Sequence, residues 1–127
     1  MASPADSTLR ILVVDDDPGI VKALRRLLQA ASHTVETAVS GAEALSHFEK
    51  ERFDLVITDY QMPGMNGDEL AAAIKALVPI QPVLMVTAYA EQLRRSSSLL
   101  SAVDMVIEKP CQEEELFEAI AKLLHKR

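Results

Sequence analysis

Six polar residues follow short apolar runs and together could do chemistry: Asp15, Asp16 and Asp17 in one stretch, then Asp59, Thr87 and Lys109. Carboxylates brought close together repel one another unless a cation neutralises them. An all-oxygen set with no histidine or cysteine beside it suits Mg2+, with Mn2+ as a substitute. Mg2+ keeps several of its waters and favours a site that also holds phosphate. Lys109 would then supply a compact positive charge, and Thr87 a hydroxyl donor, for the equatorial oxygens of a phosphoryl group. One carboxylate is left to act as nucleophile. Phosphoryl transfer needs mainly positioning and charge neutralisation, so a small domain without a deep pocket can promote it. Taken singly, Asp17 reads as a helix cap, Asp59 as a turn residue, Thr87 as a strand-end hydroxyl and Lys109 as a solvated base. The set acquires its meaning only if one edge of the fold gathers it.

The elements that would gather it are visible in the hydrophobic pattern. Ile11–Val14, Leu55–Ile57, Val83–Val86 and Val106–Ile107 are continuous apolar runs, the pattern of strands buried on both faces of a parallel sheet. Thr34 to Val39 alternates and reads as an edge strand, second in the chain. Helical stretches lie between. Asp17 as N-cap and Pro18 at the first helical position open one that turns Val21, Leu24, Leu27 and Leu28 to one face. Ser40 and Glu43, at capping-box spacing, open a second that carries Ala44, Leu45 and Phe48 inward. A third runs from Gly67 to Val78 with Leu70, Ile74 and Leu77 at helical intervals, and Pro79 ends it. The fourth, Glu91 to Ser101, is weakened by Ser96 to Ser98. The last has Glu113, Glu114 and Glu115 in its first turn and Lys122, His125, Lys126 and Arg127 at its end, matching the helix dipole. The alternation of strand and helix predicts a doubly wound α/β sandwich, whose binding crevice lies outside the carboxyl ends of the strands. Asp15, Asp59, Thr87 and Lys109 all fall there.

Composition narrows the function. The 127 residues are 49% hydrophobic and 25% charged, a balance fitting one globular domain. A net charge of −6 argues against direct nucleic-acid contact or an anionic membrane surface, either of which needs clustered Lys and Arg. A single cysteine, Cys111, excludes a disulfide framework and any multi-thiolate metal site, in keeping with a reducing cytoplasm. No apolar run reaches membrane-spanning length and Met1 to Ser7 lacks the features of a signal peptide, so a cytoplasmic location is expected. His33, His47 and His125 are scattered in sequence and read as surface or helix-end residues. The methionines read as core filling.

Four stretches carry a specific resemblance: Val13-Val14-Asp15-Asp16-Asp17-Pro18, Asp59-Tyr60-Gln61-Met62-Pro63-Gly64-Met65-Asn66-Gly67, Val86-Thr87-Ala88 and Glu108-Lys109-Pro110. They resemble the signature regions of response-regulator receiver domains of two-component signalling, typified by chemotaxis regulators, over Leu9 to Leu124. The resemblance implies a flavodoxin-like (βα)5 sandwich with a parallel sheet in the order 2-1-3-4-5. It implies a short flexible segment over residues 1–8 and a receiver over residues 9–127. By resemblance Asp59 is the phosphoacceptor, Asp15 and Asp16 are Mg2+ ligands with Asp59, and the backbone carbonyl of Gln61 is a further ligand. Lys109 would bridge Asp59 and phosphate, the Lys109–Pro110 bond would be cis, and Thr87 would be the switch hydroxyl. The phosphodonor implied is a sensor histidine kinase or histidine phosphotransfer protein, and the target a downstream output protein or fused output domain. Such a domain is a signalling module that promotes its own phosphorylation and dephosphorylation, and is not an enzyme acting on other molecules.

Three positions depart from the pattern. Ala102 stands where a glycine commonly ends the fourth helix, Val106 where an aromatic sits three before the lysine, and Cys111 where a large apolar residue follows the Lys-Pro pair. With Val106 in place of a ring, the switch is expected to run from Thr87 through Ala88 and Tyr89 into the weak fourth helix. Two rival functions exist. Asp15, Asp17 and Gly19 faintly resemble the nucleophile motif of haloacid-dehalogenase-like phosphatases, but Gly19 replaces the usual Thr or Val. A receiver-like module that binds partners without phosphorylation would usually have lost an acidic residue or the lysine, and this chain retains both.

Overall fold

The apolar runs become strands and the amphipathic stretches become helices in strict alternation in the computed structural model, which describes residues 8–95 and 101–125. In chain order these are β1 (Arg10–Val14), α1 (Pro18–Ala30), β2 (Thr34–Ala38), α2 (Gly41–Lys50), β3 (Leu55–Thr58), α3 (Gly67–Leu77), β4 (Val83–Thr87), α4 (Ala90–Arg94), β5 (Met105–Glu108) and α5 (Glu113–His125). All strand pairings are parallel, in the order β2-β1-β3-β4-β5. This is the flavodoxin-like arrangement that the motifs imply. Within the fourth predicted helix, Ser96 to Ser98 lie outside the described residues, as do Lys126 and Arg127 at the end of the fifth.

Two apolar layers sandwich the sheet. Ile11, Val13, Leu55, Ile57, Leu84 and Val86 face α1 and α5, meeting Leu28, Leu116, Ala119, Ile120 and Leu123. Leu12, Val14, Val56 and Val83 face α2 and α3, meeting Ala44, Phe48, Leu70, Ala71 and Ile74. Alternate residues of one strand thus serve opposite cores, which is why the runs are continuous in sequence. Thr34–Ala38 sits at the edge as expected, but Val39 falls outside the strand and is exposed.

The helix starts follow their capping chemistry with one adjustment. The Asp17 carboxylate accepts from Gly19 N at 2.8 Å ahead of Pro18, and Ser40 Oγ accepts from Glu43 N at 3.1 Å. Glu43 does not return to the Ser40 amide; its carboxylate reaches one residue further and accepts from Val39 N at 2.8 Å. In α3 the inward stripe is Leu70, Ala71 and Ile74, continued by Val78, while Leu77 is 58% exposed. The inward placement expected for Leu77 is therefore wrong. Val78 lies four residues beyond Ile74, closer to the 3.6-residue period than Leu77, and takes its place at the helix end.

Register decides what reaches the carboxyl edge. Val14 pairs with Thr58 on one side and Ala38 on the other, and Thr87 pairs with Glu108. Each ladder runs one residue beyond its strand: Asp15 N donates to Ala38 O, Asp59 N to Val14 O and Lys109 N to Thr87 O, at 3.1, 3.0 and 2.9 Å. Asp15, Asp59 and Lys109 are thereby anchored by backbone bonds at the rim. At the outer side of the sheet, the Arg94 guanidinium of α4 donates to the Val106 carbonyl of β5 at 2.9 Å.

Candidate functional site

Below the strand tips lies an open cleft of about 620 Å3, lined by Asp15, Asp16, Asp59, Gln61, Tyr89 and Lys109 among others. One carboxylate oxygen from each of Asp15, Asp16 and Asp59 lies within 4.8 Å of the others. Asp15 is almost wholly buried, Asp59 is half-buried and Asp16 faces solvent. Lys109 closes the set: its Nζ lies 2.8 Å from Asp15 Oδ2 and 3.3 Å from Asp59 Oδ2. Each carboxylate has its other oxygen fixed by backbone, Asp15 Oδ1 accepting from Asp17 N at 3.0 Å and Asp59 Oδ1 from Tyr60 N at 2.8 Å.

Electrostatics separates the partners. Burial holds the Asp59 carboxyl above its ordinary range, and the nearby Asp15 charge adds to this, against the lowering by Lys109 and the Tyr60 amide. Burial alone would lower Lys109, but its hydrogen bonds and charge interactions with Asp15 and Asp59 outweigh that, so the ammonium is held above its ordinary value. The lysine therefore remains a cation. These carboxylates give a hard, all-oxygen donor set whose mutual repulsion a divalent ion would relieve, so the residues present fit Mg2+.

Gly67 determines how close the β3–α3 loop can come. Its amide donates to Tyr60 O, and a Cβ at this position would lie 2.0 Å from the Asp59 carbonyl oxygen. Only a residue without a side chain lets the α3 N-terminus close behind Asp59. Gly64, with φ of +83°, turns the same loop in a conformation glycine adopts readily.

The other residues singled out from sequence are placed unevenly. Gln61 lines the cleft, and Ala88 and Tyr89 form its rim with Tyr89 largely exposed. Thr87 is fully buried beneath that rim, and its Oγ1 accepts from Tyr89 N at 3.1 Å, coupling hydroxyl and rim directly. Val106, on β5, pairs with Met85 of β4 and does not line the cleft. The Lys109–Pro110 bond is cis. Ile20 and Asn66 line the cleft without having been anticipated; Ile20 lies in α1, and Asn66 precedes Gly67 in the loop, a proximity to Asp59 that was readable. Cys111 packs half-buried against the α1 and α5 core, its thiol pushed up by burial, which fits a packed side chain and not a reactive one.

Fold and site together define a receiver-type signalling module. The chain belongs to the response regulator receiver domain family, which matches residues 11–121. Over 110 residues it is 37% identical to the transcriptional regulatory protein GlrR of Escherichia coli, covering 87% of this chain and 25% of that protein. Against the transcriptional regulatory protein TcrA of Mycobacterium tuberculosis it is 34% identical over 117 residues, or 92% of this chain and 46% of TcrA. A CheY-like response regulator receiver domain protein of Methanospirillum hungatei superposes with a TM-score of 0.86 at 35% identity, covering 94% of this chain and 96% of that one. The response regulator TrrA of Thermotoga maritima, solved in complex with Mg2+ and BeF, gives 0.83 at 39% identity over 91% and 98%. This chain spans a quarter to a half of the length of these two curated relatives. Among the described residues no helix is long and apolar enough to cross a membrane.

Proposed function

We propose that this receiver takes a phosphoryl group onto Asp59 from the phosphohistidine of a sensor kinase or histidine phosphotransfer protein. The observation that carries the reading is the single ammonium of Lys109 set between Asp15 Oδ2 and Asp59 Oδ2 at the open end of the sheet. Asp59 attacks phosphorus, the P–N bond breaks as the P–O bond forms, and the departing imidazole keeps the electron pair and takes up a proton. Asp15 is the poorer nucleophile, being more deeply buried than Asp59 and lying closer to the Lys109 ammonium, at 2.8 Å against 3.3 Å. This disfavours the phosphatase-like alternative. Asp15, Asp16, Asp59 and the Gln61 carbonyl would hold Mg2+, or Mn2+ in its place. The ion supplies charge neutralisation for the phosphoryl oxygens.

Lys109 also pairs with a phosphoryl oxygen, and Thr87 turns its hydroxyl toward the group, releasing the Tyr89 amide. That exchange passes through Ala88 and Tyr89 into α4, Val106 offering no ring to follow it. The same machinery promotes loss of the phosphoryl group to water. The receiver unit runs over residues 9–127, and it acts in the cytoplasm on an output domain or protein. Transcriptional regulators among its relatives support an output of that kind. The test is incubation with acetyl phosphate and Mg2+, read by intact mass. One acid-labile phosphoryl group should appear on the native protein and none on Asp59→Asn. Equal labelling of the variant would remove Asp59 from the role.

A further inference from the structure

Between β2 and the end of α2, away from the cleft, a second group of ligand-type atoms converges. Glu36 on β2 and His47 and Glu51 from the end of α2 each place one such atom within 4.8 Å of the other two. His47 and Glu51 are one helical turn apart, and His47 Nδ1 lies 4.0 Å from Glu51 Oε2. Glu36 shares a strand face with Ala38, whose side chain packs into the α2 and α3 core, so its carboxylate comes up beneath α2.

Two further observations mark this as more than a chance pairing. Glu51 divides its oxygens: Oε1 is engaged by the Arg10 guanidinium, leaving Oε2 turned to His47. Arg10 is itself held, its Nε donating to Arg52 O at 3.1 Å and its guanidinium lying 5.7 Å over the Phe53 ring. Metal-ligating carboxylates are commonly oriented by such an outer partner. Glu36, in contrast, is only half-exposed and has no hydrogen-bond or ion-pair partner among the described residues. Two carboxylates against one guanidinium leave the cluster an excess negative charge beside an imidazole.

We propose that Glu36, His47 and Glu51 form a second metal site, selective for Zn2+ over Mg2+, that ties the edge strand β2 to α2. One imidazole nitrogen and two carboxylate oxygens are a borderline donor set that favours zinc over hard alkaline-earth ions. Tetrahedral Zn2+ with bonds of about 2.1 Å separates its ligands by roughly 3.4 Å, so atoms that lie within 4.8 Å of one another need to draw in by no more than roughly 1.4 Å. The three protein ligands leave a fourth position for water. With Glu51 bridging Arg10 and the metal, the ion would link β1, β2 and α2.

The experiment is a Zn2+ titration of the full chain, labelled with 15N in its histidine rings and held in excess Mg2+. The chain has three histidines, so His33 and His125 serve as internal references. The expected result is a saturable shift of the His47 ring signals, complete near one equivalent, with the references unmoved. Glu36→Gln and Glu51→Gln, isosteric changes on a half-exposed face, should each weaken binding roughly tenfold or more, and His47→Gln should abolish it. A His47 ring that stays unshifted in large excess of Zn2+, or moves in step with His33 and His125, overturns the site. So does a shift unaltered by both glutamine variants. The readout is the His47 ring itself, so it does not depend on what occupies the Asp59 cleft.

Discussion

Replacing Gly67 with alanine probes how tightly α3 is pressed against the end of β3. The added Cβ would meet the Asp59 carbonyl oxygen at 2.0 Å, against an ordinary C···O separation of about 3.3 Å. Roughly 1.3 Å must be found by moving the helix start away from the strand, and the atom in the way is backbone, which cannot rotate aside. Overpacking of this kind costs about 1–3 kcal/mol, and loss of the Gly67 amide bond to Tyr60 O about 1 kcal/mol more. The better helix propensity of alanine offsets up to about 1 kcal/mol. The expected net loss is about 2 kcal/mol, which at a urea slope of about 2 kcal/mol/M lowers the unfolding midpoint by roughly 1 M. Because the displaced atom belongs to Asp59, phosphorylation by acetyl phosphate should fall as well. Gly19→Ala is the control: its Cβ would meet only the Asp17 side chain, at 3.2 Å, and a smaller change is expected. A Gly67→Ala protein with an unchanged midpoint and full labelling would show that the close approach is not what this position requires.

Asp16→Ala should lose the thermal stabilisation that Mg2+ gives the native protein, a shift equivalent to about 2.7 kcal/mol at 100 times the dissociation constant; retained stabilisation would place the ligands elsewhere. The raised Asp59 pKa means its favourable contribution is complete below the ordinary value of 3.8 and lost as pH rises through the higher folded value. In Mg2+-free urea titrations Asp59→Asn should therefore exceed the native protein in stability above that window, the gap closing as pH falls through it; a gap independent of pH would contradict the burial argument. Asp104→Ala removes the acceptor shared by Val83 N and Lys75 Nζ, both at 2.7 Å, and should cost about 1–3 kcal/mol in the same assay. Adding beryllofluoride and Mg2+ should shift amide NMR signals of residues 88–95 in the native protein and much less in Tyr89→Ala; equal shifts in both would exclude Tyr89 as the reporter.

The strands were legible because a buried parallel sheet demands continuous apolar runs, and the cleft was legible because strand-end positions can be counted in sequence. Asp17 and Ser40 were readable as caps for the same local reason. Sheet order came from the motif resemblance and not from periodicity, since nothing in β2 or β4 alone declares its neighbours. Leu77 misled because two residues near the end of α3 compete for one inward position, and the chain leaves the helix at Val78 in an extended conformation that puts Val78 there. The grouping of Glu36 with His47 and Glu51 depends on β2 lying under α2, which sequence spacing does not reveal. Thr87 was correctly assigned to the strand end, but its depth beneath Tyr89 is a property of packing. Gly67 was visible as part of a motif, while its reason, the nearby Asp59 carbonyl, exists only in three dimensions.

The bond from Arg94 to the Val106 carbonyl bears on self-association. An outermost strand presents backbone groups that can pair with a strand from another molecule, the common first step of edge-to-edge aggregation. On β5 the guanidinium already occupies one such carbonyl, so an incoming strand would have to displace a charged donor before its ladder could extend. Loss of Arg94 would free that carbonyl, and reduced solubility at high concentration would be its expected first sign.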